Sequence, residues 1–318
     1  MDSRQRVLTT IAHKEPDRVP YNLRLVPELL DMVRGEIGTT DYAEHFDHDV
    51  RYVVHALANK PEGLPAIDWV PQPTQDDVRA LTAAARACHD RGYAVCGMYF
   101  MGVYEQAKDW LGDAAAMVAP YDDPRGFAAL LDKIVEWKCS LYGAYAAAGA
   151  DIVWIGDDLG TQRSLVMRPE QYRQWYRPRH EQIVRHVRSI RPEVKIAFHC
   201  CGHVTPLIRD LIEIGIDILE AVQAECMDIA GLKREFGRDI TFWGGVGAQS
   251  VLARTTPQQV IEGVRHTLRV MSPGGGYIAA PCHTLMEEVP WPSIVAFHTA
   301  LRDYGAYPCP GSRGGRLA

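Results

Sequence analysis

Short, almost wholly apolar runs alternate with long amphipathic stretches, and this pattern most limits what the chain can fold into. The runs are RVPYNL (18–23), HDVRYVV (48–54), YAVCGMYF (93–100), DIVWIGD (151–157), VKIAFHC (194–200), DILEAV (217–222), DITFWGGV (239–246) and YIAAP (277–281). Their apolar character is continuous rather than alternating. A strand that is apolar on both sides is buried on both sides, which is the pattern of a parallel sheet covered by helices. The intervening stretches carry helix punctuation. Thr205-Pro206 opens PLIRDLIEI and Gly215 closes it. Thr256-Pro257 opens another helix, with Gln259 completing a capping box. Asp123-Pro124 opens a helix reaching about Ala148, and Arg168-Pro169 opens one that Pro178 should kink or break. Eight strands with helices between them predict a (β/α)8 barrel of the TIM type. A doubly wound open sheet is the alternative, but no G-x-G-x-x-G follows any of the strands.

The whole of residues 1–305 reads as one barrel domain, since no composition shift or linker divides it. The Pro/Gly-rich stretch 306–318 reads as a disordered tail. The net charge of −6 offers no broad basic face to nucleic acid or an anionic membrane. The first residues are charged throughout, so a signal peptide is not expected, and no apolar run is long enough to span a bilayer. Eight cysteines without an export signal read as reduced thiols or metal ligands in a cytoplasmic protein. Cys88, Cys96, Cys139, Cys226 and Cys309 are scattered and read as inert.

In a barrel, polar residues just after apolar strands converge at the C-terminal mouth. Those ends carry Asp157 and Asp158, then His199, Cys200 and Cys201, then Glu220 through Gln223, and finally Cys282 and His283. In extended chain, positions i and i+2 share a side, so His199 and Cys201 face together while Cys200 faces away. With Cys282 reaching across from the last strand, one imidazole and two thiolates suit Zn²⁺ and leave a coordination position open. Two core cysteines beside a buried histidine is the structural alternative. Glu220 is either a displaceable fourth ligand or a solvated strand-end charge. Asp157 and Asp158 fit acids that orient His199, a proton relay, or turn and helix caps. Asp157, Asp158 and Gln223 are the candidate catalytic residues.

These residues sit in segments that resemble the uroporphyrinogen decarboxylase superfamily. The segments are RVLTTIAHKEPDRVPYNL, IGDDLGTQRSLVMRPEQYRQWYRPRHEQIV, FHCCGHVTPLIRDLIEIGIDILEAVQ, FWGGVGAQSVLARTTPQQVIEGVRHTL and PGGGYIAAPCHTLMEEVPWPSIVAFHTALRDYG. They stand in order and span residues 3 to 305. The stretch YNLRLVPELL lacks the RQAGRY-like segment with which true uroporphyrinogen decarboxylases grip propionates. The H-x-C and distant Cys are closer to the zinc-dependent methyltransferase branch. That resemblance implies a methyl group moved between a small substrate (a methoxy compound, a methylamine or a thiol) and cobalamin on a corrinoid-binding protein. It also implies Zn²⁺ as cofactor. A second copy of the chain, as a homodimer, is a further candidate partner. A metal-free decarboxylase and a non-catalytic corrinoid-binding barrel are the competing expectations. Gly247 stands where many relatives of the family carry Asp, so the substrate is expected to differ from theirs.

Overall fold

A computed structural model describes residues 1–55, 62 and 65–308. Seven parallel strands follow one another in sequence order: β1 (Val50–Val53), β2 (Ala94–Met98), β3 (Ile152–Gly156), β4 (Lys195–His199), β5 (Ile218–Ala221), β6 (Thr241–Val246) and β7 (Tyr277–Pro281). Each falls inside one of the apolar runs. The expected eighth strand, residues 18–23, is not a strand: it is reduced to single bridges. Tyr21 pairs with Ala279, and Leu25 pairs with Leu285.

The reason lies in what replaces the ladder on the β1 side. Asp49 N–H donates to the Tyr21 carbonyl at 3.0 Å, but Tyr21 N–H is answered by the Asp49 carboxylate at 2.8 Å. A side chain there does the work of a backbone acceptor, so no regular register extends from it. On the β7 side, Ala279 N–H donates to Pro20 O at 2.8 Å and Asn22 N–H to Ala279 O at 3.2 Å. Pro20 has no N–H to give, which also stops a ladder from growing. The fully buried Asp49 is held in turn by Arg6 (2.6 Å) and Arg18 (2.7 Å). Segment 18–25 therefore lies between β7 and β1.

Strand residues divide by parity between two apolar regions. Ile152, Trp154, Ala197, Ile218, Trp243 and Ile278 meet inside the curl of the sheet, where Val7 and Ile11 of the helix Ser3–Ile11 join them. Val153, Ile155, Phe198, Leu219, Phe242 and Tyr277 point outward into the layer under the helices. The helices follow the punctuation. Pro124–Ala147 is capped by Asp123, and Pro257–Met271 carries the Thr256–Gln259 capping box. The break expected near Pro178 is a π-turn at Tyr172–Tyr176, after which Arg177–Ile190 begins with Pro178 in its first turn. Among the described residues, no helix is long and apolar enough to cross a membrane. Of the expected tail, Ala306 bridges Arg18 and Tyr307 donates its hydroxyl to Ser272 O, while 309–318 lie outside the described residues.

The closure also buries two imidazoles. His48, just before β1, and His298, on the helix Trp291–Tyr304, meet at 2.9 Å through their Nε2 atoms. His298 Nδ1 gives its proton to Ile294 O, so its Nε2 accepts from His48. Both rings are neutral in that arrangement. Burial pushes His48 well below the ordinary histidine range and brings His298 down to about 3. The unfolded chain protonates both below about pH 6.5 and the folded one does not, so stability is full above that pH and lost as pH falls toward 3. Urea midpoints taken from pH 7 down to 4 should show this loss, up to about 1.4 kcal/mol per pH unit for each ring. His298→Gln should remove about half of the histidine-dependent slope.

Candidate metal centre

The C-terminal ends of β3, β4 and β5 lie side by side, with Gly156 paired to His199 and His199 paired to Glu220. A Cβ on Gly156 would stand 2.5 Å from the His199 Cβ. Glycine at the end of β3 therefore makes room for the imidazole. The ring lies against Trp154, with centroids 4.7 Å apart.

The two ring nitrogens of His199 face different partners. Nδ1 is in a short contact with Glu220 Oε2. Nε2 faces the Cys201 Sγ at 3.4 Å and the Asp158 Oδ1 at 3.4 Å. Asp158 Oδ1 also accepts the Cys201 N–H at 2.8 Å, which fixes carboxylate and thiol together. One donor atom from each of Asp158, His199 and Cys201 falls within 4.8 Å of the others. This trio is what the structure brings together at the mouth.

Glu220 is buried, and burial alone would raise its carboxyl. The nearby charge of Arg24, with hydrogen bonds from His199 and Trp154, overcomes that and holds it down to about 2. Arg24 Nη2 lies 3.1 Å from Oε1, and Trp154 Nε1 donates to Oε2 at 3.0 Å. Glu220 thus occupies the orienting position behind His199 that was expected of Asp157 or Asp158. Burial first, then the Asp158 and Glu220 charges, push the Cys201 thiol far above the ordinary cysteine range. Thiol, carboxylates and imidazole together favour positive charge at this point.

The other expected residues lie elsewhere. Asp157 is fully turned into the outer layer, where it accepts Val103 N–H (2.9 Å) and Glu105 N–H (2.8 Å) at the start of the helix Val103–Leu111. It also meets His180 Nε2 at 2.7 Å. Gln223 accepts Gly202 N–H at 2.9 Å and so shapes the turn after Cys201. Cys200 faces away from His199 and accepts Leu159 N–H at 3.3 Å. Cys282 stands outside the trio. Its thiol donates to Glu225 Oε2 at 3.1 Å and accepts Ala248 N–H at 3.3 Å.

Position 247 belongs to the same corner. A Cβ on Gly247 would stand 2.1 Å from Ser250 Oγ and 2.7 Å from Glu225 Oε1, so the Ser250 hydroxyl and the Glu225 carboxylate together fill the space that a longer residue there would use. Glu225, Arg24, Phe100 and Met286 were not singled out from sequence. Arg24 was detectable only through the closure that carries it to the mouth. Asp158 as a donor was detectable by parity from Trp154, two steps at a time.

A cavity of about 420 Å³ opens above the trio, walled by Arg24, Phe100, Glu105, His283 and Met286 among others.

Residues 111–304 match the family model described as uroporphyrinogen decarboxylase (URO-D). Among solved structures, the chain is similar to a methyltransferase from Methanosarcina mazei, with a TM-score of 0.72 and 17% identity over 96% of this chain and 99% of that one. That likeness shows a shared fold. A weaker one is to a B12-independent methionine synthase from Shewanella sp. W3-18-1 in complex with selenomethionine. Its TM-score is 0.47 at 13% identity, over 71% of this chain and 64% of that one. No curated protein matches the chain.

The contacts separate the donors of the trio from thiols bound elsewhere. Zinc titration by competition with a chromogenic chelator should show Asp158→Ala and Cys201→Ala each losing about 100-fold or more in affinity. Glu220→Gln, which disturbs the group behind His199, should lose about 10–100-fold. Cys200→Ala and Cys282→Ala should lose less than tenfold. A larger loss from Cys282→Ala than from Asp158→Ala would show that the thiol, not the carboxylate, is the third donor.

Proposed function

The chain belongs to the uroporphyrinogen decarboxylase family, and from that premise we propose a zinc-dependent methyltransferase that moves a methyl group between a small substrate and a corrinoid on a partner protein. The donor spacing at His199 carries this reading. Zinc bonds of about 2.0–2.3 Å in a tetrahedron set neighbouring donors about 3.5 Å apart. His199 Nε2 has a thiol sulfur and a carboxylate oxygen both at 3.4 Å. A nitrogen, a sulfur and an oxygen are all donors that zinc accepts. Three protein donors leave a position for a reactant, the pattern of catalytic rather than structural sites.

His199, Cys201 and Asp158 would hold the ion. Bound there, it supplies Lewis acidity that keeps an incoming thiol deprotonated or draws charge from a departing oxygen. Glu220 keeps the proton of His199 on Nδ1, so that the Nε2 lone pair faces the other donors. Arg24 balances Glu220, so the orienting carboxylate remains ionised although it is buried. Phe100 and Met286 on the cavity wall are 58% and 42% exposed, which gives an approaching partner apolar surface at the mouth. Against a porphyrinogen decarboxylase stands the engagement of Arg24, the one arginine in the stretch where that chemistry would need a free grip on propionates.

Metal analysis of the purified protein should find about one zinc per chain. Methyl transfer from candidate donors to cob(I)alamin, followed by the absorbance of methylcobalamin, should be measurable with the wild type. Cys201→Ala should abolish both zinc and transfer. Carbon dioxide release from uroporphyrinogen by the zinc-free protein would overturn the assignment in favour of a decarboxylase. Stoichiometric zinc without transfer to any corrinoid would favour a barrel that binds without turnover.

A further inference from the structure

The loops that leave β3 and β4 build a second cavity, of about 560 Å³, that shares no lining residue with the one above the trio. Arg163, Arg168 and His203 stand on its wall. No aspartate or glutamate lines it, although the chain as a whole carries a net charge of −6. Among the described residues, neither Arg163 nor Arg168 is paired with a carboxylate. His203 donates its Nδ1 proton to the Cys226 carbonyl at 3.0 Å, so the permanent charge of the cavity is that of the two guanidiniums. The loop that carries Arg163 is pinned. Leu165 bridges Gly160, Thr161 N–H donates to Ser164 O at 2.7 Å, and His203 N–H donates to Thr161 O at 2.8 Å. The two loops touch backbone to backbone, since a Cβ on Gly202 would stand 2.5 Å from the Gly160 carbonyl carbon. A ligand that meets a fixed loop is spared the entropy of ordering it. Val166, Met167 and Gln171 carry the cavity on into a narrower one of about 180 Å³, walled by Met117, Tyr121 and Trp175. Met117 and Tyr121, on the helix Asp113–Asp122, are 55% and 68% exposed. Gln171 joins the two ends: its Oε1 accepts the Arg168 N–H at 3.0 Å, and its Nε2 meets the Tyr121 hydroxyl.

We propose that this groove binds an organic phosphate monoester, with its phosphoryl group between Arg163 and Arg168 and a flat apolar body against Met117 and Tyr121. Each guanidinium presents a planar fork of donors that takes two oxygens at once. A carboxylate has only two oxygens and is filled by one fork. A phosphoryl group has three free oxygens and about −1.5 to −2 charge at pH 7, enough to answer two arginines. No acid in the lining opposes it. The aromatic and methionine wall gives the rest of the molecule apolar contact, which inorganic phosphate cannot use. The site goes beyond the methyltransferase reading and does not rest on it.

Calorimetry on the full-length protein at pH 7 tests this with four matched probes: 1-naphthyl phosphate, 1-naphthoate, 1-naphthol and inorganic phosphate. The naphthyl phosphate should bind about tenfold or more tightly than each of the others. Arg163→Ala and Arg168→Ala should each weaken it about tenfold and leave 1-naphthol unchanged. Tyr121→Ala should weaken it severalfold and leave inorganic phosphate unchanged. All three side chains lie at the surface, so circular dichroism of the variants should match the wild type. A metal ion at the trio would also attract a phosphoryl group, so the titration is repeated with Cys201→Ala, which should bind 1-naphthyl phosphate as the wild type does. Binding lost in Cys201→Ala and kept in both arginine variants would place the phosphoryl group at the trio and overturn the proposal. Equal affinity for 1-naphthol would show an apolar groove only, equal affinity for inorganic phosphate an ion site only, and equal affinity for 1-naphthoate a single working fork. Each of these, or no binding of 1-naphthyl phosphate, overturns the assignment and leaves the metal centre standing.

Discussion

Glu220 is a buried carboxylate, its side chain only 5% exposed, and the mouth is arranged around keeping it charged. An isolated ion in such a place would be neutralised. Here three parts of the chain supply what it lacks: Arg24 from the N-terminal segment, Trp154 from β3 and His199 from β4. Each of these is fixed by the contact it makes. The ring of His199 cannot turn without abandoning Glu220, and so its second nitrogen stays directed at Cys201 and Asp158. Removing one member of a buried charged set leaves the others unanswered, which is why such sets act as a unit.

That arrangement depends in turn on how the sheet is completed between β7 and β1. A regular eighth strand is not what does it. Arg6 and Arg18 bind the buried Asp49, and Asp49 answers the Tyr21 amide. The bridge at Tyr21 then leads, three residues on, to Arg24 over the mouth. Charges at the closed end of the fold thus set the position of a charge at its open end. The segment need not form a ladder, because its task is to deliver one guanidinium.

Seven of the apolar runs could be read as strands because burial on both faces leaves a continuous pattern that few other structures share. The run at 18–23 shows the same pattern for a different reason. Val19, Tyr21 and Leu23 are buried by the helices and strands around them, while Pro20 and the Asp49 side chain prevent a ladder. Apolar pattern reports burial, not hydrogen bonding. The site was legible where the backbone stays extended. His199 and Cys201 share a side, and Cys200 does not, because the chain beyond β4 keeps the alternation for two more residues. Asp158 follows the same rule from Trp154.

The rule fails at Cys282 because the extended chain ends at Pro281 and bends. A residue beyond a bend takes its direction from its neighbours, and here those neighbours are Glu225 and the Ala248 amide. The same corner explains the glycine at 247. Glu225 accepts from Ser250 Oγ at 2.9 Å as well as from Cys282, and the hydroxyl and carboxylate together fill the place above residue 247. An aspartate at 247 would meet a second acid at close range, and like charges that near each other cannot both stay ionised. Glu225 and Gly247 are therefore two sides of one choice. The acid of this corner comes from the turn after β5 rather than from the end of β6, and it is bound to the thiol of Cys282.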